Sequence, residues 1–254
     1  MISLTGKAAL ITGGSRGIGA ACVRMFAQAG ADVVFNFHRE QEAAERVAQE
    51  ARRPGTRVEF FKADLAKLGP AEKLVKFTRE RLGRLDILVA NAGIWNVDDL
   101  PIEKMSERDW DQMMAVNLKS VYSVIHFSVP HMIQQKSGRI IAISSTAGQR
   151  GEAFHSHYGA SKGAIISLVK GLSTELAAHK ILVNSVAPGW VDTDMSKPVF
   201  KNKKALKQIV EKQPLGRVAT AEECAGPVLF LASELSSYIT GEILNVNGGS
   251  VLCG

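Results

Sequence analysis

Short apolar runs alternate with longer amphipathic stretches along the first half of the chain, and that rhythm limits the folds open to it. AALIT (8–12), DVVFNF (32–37), RVEFF (57–61) and LDILVAN (85–91) are separated by segments 17–29, 40–51 and 70–82, which read as amphipathic helices. Strands that are apolar on both faces need cover on both faces, which a parallel sheet with helical crossovers supplies. The second half repeats the rhythm more loosely: a long helix over 107–135, a strand over 138–144, a helix over 156–178, a strand over 181–187 and a last strand near 242–246. The expectation is an α/β chain with about seven parallel strands in one doubly wound sheet, forming a single domain over 1–254. No fixed-period repeat or low-complexity segment interrupts it. The rhythm breaks between Pro188 and Pro214, where a lysine-rich insertion follows the sixth strand. Doubly wound sheets bind ligands outside the carboxyl ends of their strands, so 190–214 is expected to act as a substrate lid.

Thr12-Gly13-Gly14-Ser15-Arg16-Gly17-Ile18-Gly19 directly follows the first strand and opens the first helix. Glycines there allow a tight turn and a close backbone approach to a pyrophosphate, and the helix start offers unpaired N–H groups with the positive end of a dipole. A plain strand-to-helix turn is the alternative, but the position in the first βα unit favours dinucleotide binding on a Rossmann-type domain.

Tyr158 and Lys162 are four residues apart in SHYGASKGAIISLVKGL, a helical segment, so their side chains emerge on one face. A phenol with a pKa of about 10 transfers protons poorly near neutrality, and an adjacent ammonium is expected to lower it. Ser145 ends the preceding strand, where its hydroxyl can polarise a carbonyl in the same pocket. Taken singly, such a pair is a surface contact and such a serine a turn residue; in order, behind an intact phosphate loop, they read as catalytic.

The spacing TGxxxGxG, followed by Asp64-Leu65, Asn91-Ala92-Gly93, Asn117, Ser145, Tyr158-Gly159-Ala160-Ser161-Lys162 and Pro188-Gly189, resembles the short-chain dehydrogenase/reductase family over essentially the whole chain. The resemblance implies a nicotinamide-dependent oxidoreductase with Asn117, Ser145, Tyr158 and Lys162 as its catalytic set. It further implies that Gly13, Ser15, Arg16 and Ile18 hold the pyrophosphate, Asp64 and Leu65 the adenine, and Asn91 the adenine ribose. Lys162 would bind the nicotinamide ribose and Thr193 the carboxamide, with Ala92, Gly93, Tyr158, Pro188, Gly189 and Val191 as further cofactor contacts. Asn117 matches the family residue that holds a water joining Lys162 to solvent.

NAD-preferring relatives usually end the second strand with a carboxylate; this chain has Asn36-Phe37-His38-Arg39 there. With Arg16 and Arg39 near the ribose and His38 between, NADP is expected, NADPH being preferred over NADH. The alternative leaves Arg39 as a solvated residue opening the second helix.

The chain is most similar to the 3-oxoacyl-[acyl-carrier-protein] reductase branch, which implies reduction of a carrier-bound or coenzyme A thioester. Lys197, Lys201, Lys203, Lys204 and Lys207 border the expected pocket and suit an acidic carrier protein or a phosphate, or else form a soluble face. Departures keep a ketone, alcohol or sugar dehydrogenase open: IWNVDDLPIEKM follows Gly93, and Lys136 and His179 stand at the branch's carrier-docking arginines. A third reading is a scaffold without turnover that binds nucleotide as a regulatory subunit. Trp95, Phe154, Trp190 and Phe200 are expected to form an apolar substrate wall, or else to pack beneath the lid.

Composition narrows the setting. With no basic leader and no apolar window long enough for a membrane span, a cytoplasmic chain is expected. Cys22, Cys224 and Cys253 lack disulfide or zinc spacing, and His155 and His157 beside Tyr158 shape a pocket entrance rather than a metal site. A net charge of +6, spread along the chain, gives no nucleic-acid signature. The family resemblance implies a homotetramer built through the two long helices and the C-terminal region, whose GGSVLCG ending is apolar enough to be buried.

Overall fold

The two-residue period of each strand divides its side chains between two apolar cores in the computed structural model, which describes residues 2–252. In β1 (Ala8–Ile11), Ala9 and Ile11 join one core while Ala8 and Leu10 join the other. In β2 (Asp32–Phe37), Val33, Phe35 and Phe37 join the first and Val34 the second. The remaining strands are β3 (Val58–Lys62), β4 (Ile87–Ala90), β5 (Gly138–Ile143), β6 (Ile181–Pro188) and β7 (Ile243–Val246). Their order is β3-β2-β1-β4-β5-β6-β7 and every pairing is parallel.

The helices are α1 (Gly17–Gln28), α2 (Gln41–Ala51), α3 (Leu68–Leu82), α4 (Glu107–Met114), α5 (Ser120–Gln135), α6 (Thr146–Arg150), α7 (Ser156–Leu176), α8 (Lys197–Phe200), α9 (Lys203–Glu211) and α10 (Ala221–Ala232). Residues of α1, α2 and α10 fill the first core, and those of α3, α5 and α7 the second. The seven-stranded, doubly wound α/β architecture read from the sequence is therefore the observed one, with ends moved by a residue or two.

Two readings need correction. The long helix over 107–135 is not uniform: α4 passes into α5 through a π-helical turn, Ala115–Lys119, which contains Asn117. The helix expected to reach 178 ends at Leu176 and tightens into a 3-10 turn, Ala177–His179. Leu252, at the end of the described residues, is 89% exposed on the single chain. Cys22 and Cys224 are free thiols buried on the packed helices α1 and α10, while Cys253 lies outside the described residues.

The strand ends are tied together by side chains. The Thr12 hydroxyl accepts from the backbone N–H groups of Asn91 and Ala92, both at 2.9 Å, and the Asn91 amide donates to the carbonyls of Thr12 (2.9 Å) and Gly13 (3.2 Å). Buried Asn36 accepts from Gly13 N–H (2.8 Å) and donates to the Ala63 carbonyl (3.1 Å), so it spans the ends of β1, β2 and β3. Replacing it by leucine leaves two backbone groups unpaired at about 1–3 kcal/mol each. We predict that Asn36→Leu lowers the thermal midpoint by about 2–4 °C per kcal/mol; an unchanged midpoint in a melting curve would show that the tie contributes nothing.

Candidate active site

At the carboxyl edge of the sheet the strand order reverses between β1 and β4, opening a crevice where doubly wound folds take their ligands. A cavity of about 730 Å3 lies there. Gly13, Ser15, Arg16 and Ile18 line it from the glycine-rich turn, His38 and Arg39 from the turn after β2, and Asp64 and Leu65 from beyond β3. Asn91, Ala92 and Gly93 enter after β4, Pro188, Gly189, Val191 and Thr193 after β6, and Ser145, Tyr158 and Lys162 complete the lining. Of the residues read from the sequence as site residues, Asn117 alone does not reach the cavity surface.

The phosphate end is shaped by backbone. A side chain at Gly19 would come within 2.2 Å of the Gly13 carbonyl, so only glycine lets α1 start this close to the turn. No side chain caps the start of α1 and its first turn holds no acidic residue, leaving its N–H groups for an anion. Asn36 turns inward to its backbone partners, which leaves His38 and Arg39 to meet a ligand at the end of β2. Asp64 takes the backbone N–H of Ala66 at 3.2 Å, and the Asn91 amide nitrogen is already committed to the turn.

The reacting groups are brought together by the packing of α6 on α7. A side chain at Gly148 would lie 2.5 Å from the backbone of Lys162, so the two helices touch backbone to backbone. Ser145 caps α6, its hydroxyl oxygen accepting from Ala147 N–H at 3.1 Å, and it lies close enough to the phenol of Tyr158, in the first turn of α7, to act on its ionisation. Burial pushes the Tyr158 phenol above its ordinary 10.0; the nearby Ser145 hydroxyl opposes this and the Glu152 charge adds to it. Lys162 is buried, donates to the Ile143 carbonyl at 2.8 Å, and has its ammonium 5.9 Å from the centre of the Tyr158 ring. Burial lowers its pKa to about 8. In the cofactor-free chain the phenol is raised by loss of water, the opposite direction to the lowering expected from its lysine, whose Nζ is directed at a backbone carbonyl.

Asn117 holds the loop after β4. Its amide oxygen accepts from Ile94 N–H at 2.7 Å, and its nitrogen donates to the Ile94 carbonyl at 3.0 Å and to Ser161 Oγ at 3.2 Å. A side chain at Gly93 would meet both Asn117 Oδ1 (3.3 Å) and Lys162 Nζ (3.5 Å), which places the asparagine beside the lysine. The aromatic wall differs from expectation. Trp95, Trp190 and Phe200 are linked ring to ring, but of the four expected rings Trp95 and Trp190 line the cavity, Phe200 packs behind Trp190, and Phe154 is 52% exposed; the buried ring of His155 stacks on Trp95 instead. His155 and His157 are buried and do not line the cavity, so they do not form its entrance. The sequence did not point to Gln112 in the lining; Met195 lies within the expected lid segment 190–214, and the pairing of Arg150 with Glu152 at 2.7 Å was not foreseen. Opposite charges flanking Gly151 were a signal for that pair; nothing signalled Gln112.

Residues 13–250 match the family model described as Enoyl-(Acyl carrier protein) reductase. A 3-oxoacyl-[acyl-carrier-protein] reductase FabG of Chlamydia muridarum is 41% identical over 97% of this chain and 98% of that protein. Its namesake from Thermotoga maritima is 38% identical over 98% and 99%. The chain belongs to the short-chain dehydrogenase/reductase family. It is an oxidoreductase of the kind that interconverts CH–OH and C=O groups, similar to 3-oxoacyl-[acyl-carrier-protein] reductases. Among solved structures, gox2181 superposes with a TM-score of 0.93 at 31% identity over 98% of this chain and 96% of that one. A short-chain dehydrogenase/reductase of Brucella melitensis, described as glucose/ribitol dehydrogenase, gives 0.91 at 32% identity over 99% of both chains.

Within this short-chain dehydrogenase/reductase the buried lysine carries a stability signature. Between about 8 and its ordinary 10.5, Lys162 is protonated in the unfolded chain and neutral in the folded one. Stability rises with pH wherever the unfolded state binds more protons. The thermal midpoint of the wild type is therefore expected to gain on that of Lys162→Met as pH rises through this window in melts without cofactor. A constant difference would mean that the lysine keeps its charge when buried.

Proposed function

We propose that this chain reduces 3-oxoacyl thioesters, carried on an acyl carrier protein or coenzyme A, to 3-hydroxyacyl thioesters with NADPH. The observation that carries the reading is that Ser145, Tyr158 and Lys162 line the same cavity as an uncapped, glycine-lined helix start. The close approach at Gly19 and the breadth of the cavity suit a dinucleotide, with its pyrophosphate at Gly13, Ser15 and Ile18. Arg16 and Arg39 both face the cavity and supply cationic partners for a 2′-phosphate. Asp64 and Leu65 would contact the adenine, and Asn91 the adenine ribose through its amide oxygen. Thr193 would hold the carboxamide, with Ala92, Gly93, Pro188, Gly189 and Val191 as backbone and apolar contacts.

A bound dihydronicotinamide supplies hydride to the carbonyl carbon. In this reading, Ser145 and Tyr158 donate hydrogen bonds to the carbonyl oxygen, and Tyr158 gives up its proton as negative charge develops there. A phenol held above its ordinary pKa stays protonated, the state that reduction needs. Lys162, turned from the Ile143 carbonyl, stabilises the phenolate left behind, and Asn117 keeps the loop at Ile94 in place beside it.

Residues 190–214 serve in this reading as a lid, and the exposed Lys201, Lys203 and Lys204 give it a basic rim for an acidic carrier or a phosphate. Lys136 and His179 are exposed just before β5 and β6 begin, at the edge of the sheet away from the cavity, so the lid lysines are better placed within one chain. We further infer a cytoplasmic homotetramer. Free Cys22 and Cys224 suit a reducing compartment, and exposed Tyr122 on α5 and Leu252 provide apolar surface for assembly.

Steady-state assays with acetoacetyl thioesters should show kcat/KM with NADPH more than about tenfold above that with NADH, the worth of one charge-assisted hydrogen bond. Tyr158→Phe should lower kcat by about 10²–10⁴. Equal use of both cofactors would remove the NADPH assignment. Turnover of an enoyl thioester in place of acetoacetyl would favour double-bond reduction, the activity named by the matched family model.

A further inference from the structure

Trp95 lines the cavity and is immobilised on several sides. Its neighbour Ile94 is clasped at both backbone groups by Asn117 (2.7 and 3.0 Å). One ring face stacks on His155 at 4.9 Å and 21°, and His155 is itself buried, with Nδ1 3.2 Å from the Ala153 carbonyl. Trp190 meets the indole edge-on at 5.7 Å and 88°, and is followed by Phe200 of α8 at 5.8 Å. Moving the indole would break two ring contacts and disturb a third. The Arg150–Glu152 pair also lines this cavity, and Glu152 is close enough to act on the Tyr158 phenol. Such charges lose hydration beneath an alkyl chain, so this part of the lining disfavours a long chain beside the indole. The Ser145–Tyr158–Lys162 chemistry is complete without an aromatic ring at position 95.

We infer that Trp95 is a specificity-determining residue, fixed between His155 and Trp190 so that it closes the acyl end of the cavity to all but short, acetoacetyl-sized 3-oxoacyl groups. The inference rests on the thioester-reductase reading for its substrate class, but the wall itself is independent of the thioester. One methylene too many in a fitted pocket changes selectivity by about 10–200-fold.

The test measures kcat/KM from acetoacetyl to 3-oxododecanoyl in two series, N-acetylcysteamine thioesters and ethyl esters, for the wild type, Trp95→Ala, Trp95→Phe and His155→Leu. The wild type should lose more than about tenfold along each series. Trp95→Ala should recover the long substrates relative to acetoacetyl by a similar factor, mainly through KM, while Trp95→Phe keeps the limit. His155→Leu, which removes the backing ring and leaves the indole, should give partial recovery and serves if the alanine variant does not fold. A flat wild-type profile, or variants that change all chain lengths equally, would overturn the inference. Thioesters reduced with a flat profile would remove the wall and leave the thioester reading; esters limited by length, with thioesters not reduced, would do the reverse. No turnover in either series would overturn both.

Discussion

Parallel strands that end together bring many loops to one edge, and the polar groups buried there must satisfy one another. Thr12 accepts from two backbone N–H groups beyond β4, and Asn91 returns its amide to the turn after β1. Asn36 joins that turn to the end of β3, and Asn117 clasps Ile94 through both its N–H and its carbonyl. Because an unpaired buried polar group costs more than a formed hydrogen bond gains, each tie excludes the alternative loop positions. The glycine-rich turn and the loop carrying Trp95 are thus set before any ligand arrives.

The same burial shapes the chemistry. Removing water disfavours charge on Tyr158 and on Lys162 together, raising one pKa and lowering the other. The neutral phenol is then ready to donate a proton to a carbonyl oxygen that gains charge. Lys162 meanwhile occupies the Ile143 carbonyl, which satisfies both groups in a place where neither reaches water readily. The π-helical turn at Ala115–Lys119 brings Asn117 to this region, in keeping with the frequent occurrence of such turns at functional sites.

The sequence made the sheet legible because apolar runs such as DVVFNF leave a parallel strand little alternative, and the glycine turn was legible because its spacing serves a backbone purpose. Tyr158 and Lys162 were found because four residues along a helix bring side chains to one face. What stayed hidden depended on contacts distant in sequence. No local pattern tells that Lys162 bonds to the carbonyl of Ile143 or that a π turn divides the helix at Asn117. Nor does one tell that His155, and not the adjacent Phe154, turns inward against Trp95; the choice lies in a backbone where Phe154 has φ +60° and its side chain points outward.

Burial keeps the Tyr158 phenol protonated and lowers the pKa of the lysine beside it to about 8. Ultraviolet titration of the phenolate tests this directly, since the chain has three tyrosines, and Tyr122 and Tyr238 are exposed. Subtracting the Tyr158→Phe curve from that of the wild type isolates Tyr158. Without cofactor, the account predicts that this difference develops only above 10.0, the ordinary tyrosine value. A phenolate forming well below it in the cofactor-free protein would contradict the account, and would mean that Lys162 already stabilises the anion.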